Sequence, residues 1–373
     1  MWYAECSTKN KERECNMKQS IDDQTLKARI RFFWESFADQ EPTLRELIDR
    51  GETQLASAAI NHFLIQLRLP PLASVAKSSD GYVLMMCPRG DKTAQLVSRY
   101  WAYLAPDTPG WTVQPFGHPT EAELAQLLSA MGMQWDPDAF TVYCVVDDAE
   151  QKYQVNAVSP LFSAEHRTES RVFCRTLFFM LLGAAYAELY IGDIACAPAE
   201  PNPPFPGTRM TLAEFCGTVR RTPAERGWLM LKDPTAICYG YHGDEEHGDG
   251  MREDIQMGFT RHPQLIDSPF SESEELMHMG GMYCYLYYPT DTADPHAFME
   301  KRAELNGKVE QLMDEYRLGY VLGMAQGSDF CYIDLFVADE PTFSAIFRDT
   351  VPLLDEVLDI DYFGRSVSGE WVQ

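Results

Sequence analysis

The sequence predicts an α+β protein of two α/β domains with antiparallel or mixed sheets. Three observations carry this. From Gly280 onward the apolar pattern alternates between strand and helix in the order β-α-β-β-α-β, the split βαβ or ferredoxin-like order. Residues 21–196 show a second series of helices and hairpins. Between them, residues 197–207 hold five prolines in eleven positions, the composition of an extended linker.

The expected organisation is a disordered polar tail (1–20), an N-terminal α+β domain (21–196), the linker (197–207) and an acidic α+β domain (208–373) with its ferredoxin-like core at 280–366. The tail has no hydrophobic period, and Met17 offers an alternative start. Leu26, Ile30, Phe33, Trp34 and Phe37 share a helical face. Gly51 breaks the run, Leu55 to Leu67 resume it, and Pro70-Pro71 end it. Leu72–Ala76 and Tyr82–Cys87 read as a hairpin around Asp80-Gly81. A helix follows at Thr93–Leu104, a strand at Trp111–Phe116, and a helix from the capping box Thr120–Glu123 to Met131. Phe140–Val146 and Lys152–Val158 make a second hairpin, Glu169–Ala187 one buried helix, and Leu189–Ile194 a strand. Hairpin, long helix and strand echo the C-terminal order.

Past the linker, Thr211–Glu214 forms another capping box. Strands are expected at Gly227–Leu231, Ala236–Tyr241 and Asp254–Phe259, with a short helix at Pro263–Ile266. The C-terminal core then has strands at Met282–Tyr288, Tyr320–Met324, Phe330–Val337 and Ile360–Ser366. Its helices are Pro295–Tyr316 and Pro341–Leu358, the latter carrying Pro352.

The net charge is −25, of which −17 belongs to residues 208–373 and −8 to residues 1–207. That balance argues against nucleic acid and anionic lipid, and permits a basic protein partner. The ten cysteines form no C-x-x-C pair and sit mostly in apolar stretches, the pattern of free thiols in a reducing, cytoplasmic compartment. The N-terminus lacks the apolar core of a signal peptide. The most apolar run, Thr176–Ala187, is too short to span a bilayer.

Candidate sites are few. His242-Gly-Asp-Glu-Glu-His-Gly-Asp-Gly250 gathers His242, Asp244, His247 and Asp249, whose imidazoles and carboxylates are the donors a divalent metal takes. The glycines and the lack of helical spacing instead favour a solvated loop, so no cofactor is expected. Asp244, Glu245, Glu246 and Asp249, with Tyr287 and Tyr288 of the aromatic-rich C-terminal sheet, are the candidate partner-binding residues. One sheet face needs cover from the other domain, a partner or a second copy of the chain. Gly323–Ser328 lacks the G-K-[ST] of a phosphate loop. His118 and His262 precede prolines at helix starts and read as capping or surface residues. Glu35 and Glu188 read as helix-edge carboxylates.

Phe33-Trp-Glu-Ser-Phe37, Ala105-Pro-(x)₃-Gly-Trp111, Arg252-Glu-Asp-Ile-Gln-Met-Gly-Phe-Thr-Arg-His-Pro-Gln-Leu265 and Tyr285-Leu-Tyr-Tyr-Pro289 resemble a group of uncharacterised two-domain bacterial proteins of unknown function. Such families turn up among toxin-neighbouring immunity proteins. The resemblance implies a binding role and supplies no catalytic residues. The expectation is therefore a non-enzymatic cytoplasmic protein-binding module, an immunity or regulatory protein whose acidic second domain engages a basic partner. The alternatives are a metal-dependent hydrolase using His242 and His247, and a small-ligand sensor in a cleft between domains.

Overall fold

The structure is a computed structural model that describes residues 21–118, 124–125, 128–129, 135–201, 204–243, 252, 254–290, 295–350 and 359–363. It is α+β, with ten α-helices and three sheets among the described residues. By chain contact it divides into two compact units. One comprises Met1–Glu41, His62–Pro70 and Cys238–Gln373, the other Pro42–Asn61 and Pro71–Ile237.

The first two helices, α1 (Leu26–Asp49) and α2 (Thr53–Gln66), flank Gly51 as the apolar period requires. The unit 42–61/71–237 holds a mixed three-stranded sheet of β1 (Ala73–Ser78), β2 (Gly81–Met86) and β3 (Trp111–Gln114). Gly81 lies at φ 138°, and a Cβ there would stand 2.3 Å from the Gly110 carbonyl oxygen, so the turn admits no side chain. Helix α3 (Lys92–Tyr103) is capped by the Asp91 carboxylate, which accepts from the Ala94 amide.

Its second sheet runs β6-β5-β4-β7, formed by β4 (Thr141–Asp147), β5 (Lys152–Val158), β6 (Ile191–Ala197) and β7 (Thr208–Thr211). The helices α4 (Arg167–Leu182), α5 (Ala184–Tyr190) and α6 (Leu212–Arg226) belong to the same unit. Val142, Cys144, Val155 and Ala157 of the sheet pack with Leu177 and Phe178 of α4 and Phe215 and Val219 of α6. The capping box at Thr211 and Glu214 forms as its spacing predicts.

Three expectations differ here, and a fourth is not tested. The segment 197–207, read as a linker, joins β6 to β7, two strands of one sheet, because Thr208–Cys144 pairing completes the edge of β4. The helix predicted over 169–187 is two helices, broken where Gly183 takes φ 86°. No strand forms at Gly227–Leu231: Trp228 is buried against Tyr153 and Tyr190, while Leu229 and Met230 stay exposed. The helix expected at 120–131 falls largely outside the described residues.

Glu188 is also not an edge residue. Its carboxylate and the Lys92 ammonium form an ion pair whose side chains are 5% and 3% exposed. Lys92 Nζ also donates to Gln95 Oε1 at 3.2 Å and to the Pro234 carbonyl at 3.1 Å, which matches an acceptor to each ammonium proton. Glu35, by contrast, is exposed as expected.

The other unit holds one antiparallel sheet in the order β13-β10-β12-β11-β9-β8. Its strands are β8 (Tyr239–His242), β9 (Ile255–Thr260), β10 (Met282–Pro289), β11 (Gly319–Gly327), β12 (Phe330–Val337) and β13 (Asp359–Tyr362). The helices are α7 (Pro263–Asp267), α8 (Pro269–His278), α9 (Pro295–Glu315) and α10 (Glu340–Thr350), and α8 was not anticipated. His262 starts α7 as a capping residue, its Nδ1 accepting from the Leu265 amide, and it is wholly buried. The first turns of α1 join this unit: the Leu26 and Lys27 amides, orphaned at a helix start, donate to the Gly280 and Ala338 carbonyls at 2.7 and 2.9 Å. Arg29, fully buried, donates to the His278 carbonyl at 2.9 Å, and Lys27 Nζ to the Tyr316 carbonyl at 2.8 Å. Each cation thus meets a carbonyl at the C-terminal end of a helix.

The Lys92–Glu188 pair gives a first prediction. Lys92→Met or Glu188→Met alone strands a buried charge and lowers stability by about 3–5 kcal/mol, whereas the double replacement recovers most of the loss. Urea unfolding of the three variants measures this. Equal losses in single and double variants would refute the charge argument.

Candidate functional site

Strands β10 and β12 alternate strictly. Cys284, Leu286 and Tyr288 of β10, with Cys331, Ile333, Leu335 and Val337 of β12, share one face with Leu305, Val309 and Met313 of α9 and Phe343 of α10. The opposite face carries Tyr283, Tyr285 and Tyr287 beside Phe336, Asp334 and Tyr332, paired in that register.

At the centre of that face Asp334 is 0% exposed, a burial that a matched charge makes tolerable. Arg252 supplies it, with Nη1 2.7 Å from Asp334 Oδ1 and the side chain itself 2% exposed. The guanidinium lies over three rings, 4.6 Å from the Phe363 centroid, 5.0 Å from Tyr285 and 5.5 Å from Tyr332. Delocalised charge on a flat, weakly hydrated group suits this aromatic box better than an ammonium would.

Around the box, tyrosine hydroxyls point at carboxylates. Tyr332 donates to Asp254 Oδ1, and Asp254 Oδ2 accepts the Asp329 and Phe330 amides at 3.0 and 2.9 Å. Tyr285 donates to Asp361 at 3.3 Å and Tyr287 to Asp359 at 3.1 Å. Burial first, then the hydrogen bond and charge of Asp254, push the Tyr332 phenol far above the usual tyrosine range. Burial and Asp359 push Tyr287 the same way.

Exposure rises toward the β11–β12 turn. Phe330 is 37% exposed and meets half-buried Tyr287 edge to face at 5.5 Å. Asp329 and Asp359 are exposed beside these rings. This rim presents two aromatic rings and two carboxylates, the groups that receive a lysine or arginine side chain. It offers no nucleophile–base arrangement.

The structure separates the residues that the sequence grouped. Tyr287 lies on the rim, but Tyr288, its neighbour on a strand, is 5% exposed in the helix-covered core, so the two do not form one patch. His242 is exposed at the end of β8. Asp244, Glu245, Glu246, His247 and Asp249 lie outside the described residues, and with them the proposed metal and loop contacts. Sequence reasoning missed Arg252, Asp254, Asp334, Phe330 and Asp359. One signal was present: Asp334 interrupts an otherwise apolar and aromatic strand, and a charge there requires a buried partner.

Two predictions follow from the box. Arg252→Met leaves Asp334 uncompensated and costs about 3–5 kcal/mol by urea unfolding, while Arg252→Met with Asp334→Leu regains most of it; a single variant as stable as the parent would contradict this. Tyr332 is raised in the folded state, so its stabilising effect is complete below the unfolded value near pH 10. Above about pH 10 stability declines, with each such tyrosine contributing roughly 1.4 kcal/mol per pH unit. Unfolding free energies measured between pH 8 and 11 should show this decline, shallower in Tyr332→Phe; identical slopes would count against it.

Among the described residues, no helix is long and apolar enough to cross a membrane. Compared with family models, curated proteins and solved structures, the chain matches none of them.

Proposed function

We propose that the protein is a non-enzymatic, cytoplasmic protein-binding module that engages a basic partner through the rim formed by Tyr287, Phe330, Asp329 and Asp359. The observation that carries this reading is the exposed pairing of aromatic rings with carboxylates at one end of an otherwise buried face. The net charge of −17 over residues 208–373 supports it, because a negative field steers and orients a cationic surface. The resemblance to families found beside toxins points the same way. The antiparallel order β13-β10-β12-β11, with α9 and α10 on one face, supports reading 280–366 as ferredoxin-like. A second copy of the chain is the competing occupant.

Affinity purification of the tagged chain at low and high salt, with mass spectrometry, identifies the partner. Asp329→Lys with Asp359→Lys should weaken its binding about tenfold or more and flatten the salt dependence without lowering stability. Replacing Asp244, Glu245 and Glu246 by Lys measures the loop's share separately. Rim variants that bind as tightly as the parent, or a chain that retains only itself, would overturn this reading.

A further inference from the structure

The unit holding the four-stranded sheet contains two cysteines that the binding reading does not use. Cys174 lies on α4 and is 1% exposed, whereas Cys196 is half-buried near the end of β6. Strand β6 is an edge of the sheet, and Cys196 stands opposite Ala157, whose side chain belongs to the core on which α4 packs. The Cys196 thiol reaches α4 there and donates to the Ser170 carbonyl, one turn before Cys174, at 3.5 Å, and both cysteines belong to one core.

We propose that Cys174 and Cys196 are a peroxide-reactive dithiol in which Cys196 attacks and Cys174 resolves. The geometry divides the roles. Cys196 is the sulfur that a small oxidant reaches from the sheet edge, and Cys174 is enclosed behind it. Acidity agrees: the hydrogen bond from Cys174 lowers Cys196, with help from the Arg171 cation and against its burial, while Cys174 is raised. Cys144 and Cys216, buried without such a neighbour, are pushed up to about 11 and stay as thiols.

The oxidant is hydrogen peroxide. The Cys196 thiolate attacks one peroxide oxygen, the O–O bond breaks, and the departing hydroxide takes a proton to leave as water. Cys196 is then a sulfenic acid. The Cys174 sulfur, giving up its proton, attacks Cys196 Sγ; the S–S bond forms, the S–O bond breaks, and a second water leaves. Two thiols are oxidised by two electrons and one peroxide becomes two waters. The disulfide ties α4 to the edge strand.

The test treats the reduced full-length chain with one equivalent of peroxide, alkylates remaining thiols, and maps the cysteines by mass spectrometry. The expected result is a Cys174–Cys196 linked peptide, lighter by two hydrogens, with exposed Cys238 still alkylated and the link reversed by dithiothreitol. In Cys174→Ser, Cys196 should halt as a sulfenic acid that dimedone traps; in Cys196→Ser, Cys174 should survive as a thiol. Recovery of both as thiols while Cys238 oxidises, or Cys196 linked to another cysteine, would overturn the proposal. The parent chain alone decides between these results, so a variant that fails to fold does not shelter it.

Discussion

The antiparallel sheet depends on the ion pair between Arg252 and Asp334. A carboxylate in the middle of β12, with apolar residues before and after it, costs several kcal/mol in the absence of a counter-charge. Arg252 meets that demand from outside the sheet, ahead of β9, and can do so only with its own charge desolvated. The three rings compensate by stacking on the guanidinium. Since Tyr285, Tyr332 and Phe363 come from β10, β12 and the end of β13, a single side chain reads the correct register of three strands. A one-residue slip would move Asp334 into the helix-covered core, where no cation is available among the described residues.

The same solution recurs in the other unit with different chemistry. Lys92 begins α3 and Glu188 lies on α5, so their attraction ties two helices that are distant in sequence. An ammonium is a point charge with three protons, and the site provides Glu188, Gln95 and the Pro234 carbonyl. At the start of α1, Arg29 acts on backbone carbonyls, and Lys27 combines a carbonyl with an ion pair to Asp339 at 3.2 Å. In each case a long basic side chain is buried because acceptors are fixed around its head, and the charge contributes position more than raw stability.

What was legible follows from period. Strand alternation and helical spacing placed β4, β5, β10, β12, α1, α2 and α9 to within a few residues, because each buries one regular face. The failures have physical causes. Trp228 resembles a strand residue by composition, yet it serves as a plug over Tyr153 and Tyr190. Helix α8 carries Pro269 at its start and a short apolar pattern, too little for a period to declare itself. Tyr287 and Tyr288 were grouped by proximity in sequence, although adjacent strand residues face opposite ways. Glu188 looked like an edge residue because its partner lies some ninety positions away, beyond the range of any local pattern. Asp334 was legible as an anomaly but not as a pair, since nothing local identifies Arg252.

Acidity therefore has two separate roles in this chain. Asp254, Asp334 and Asp361 sit within reach of tyrosine hydroxyls, backbone amides or Arg252, and their charge is consumed in shaping the face. Composition alone credits these carboxylates to a binding surface, whereas burial removes Asp334 from it and hydrogen bonds from tyrosine hydroxyls or backbone amides engage the half-buried Asp254 and Asp361. What remains for recognition is the exposed margin, where Asp329 and Asp359 flank rings already oriented by the interior. A partner that lays a cation on Phe330 and Tyr287 would extend outward the arrangement that Arg252 makes inside: a positive group on aromatic faces, with a carboxylate at its head. The interior box is thus the physical argument for the chemistry proposed for the rim, an argument from side-chain geometry that stands beside the one from net charge.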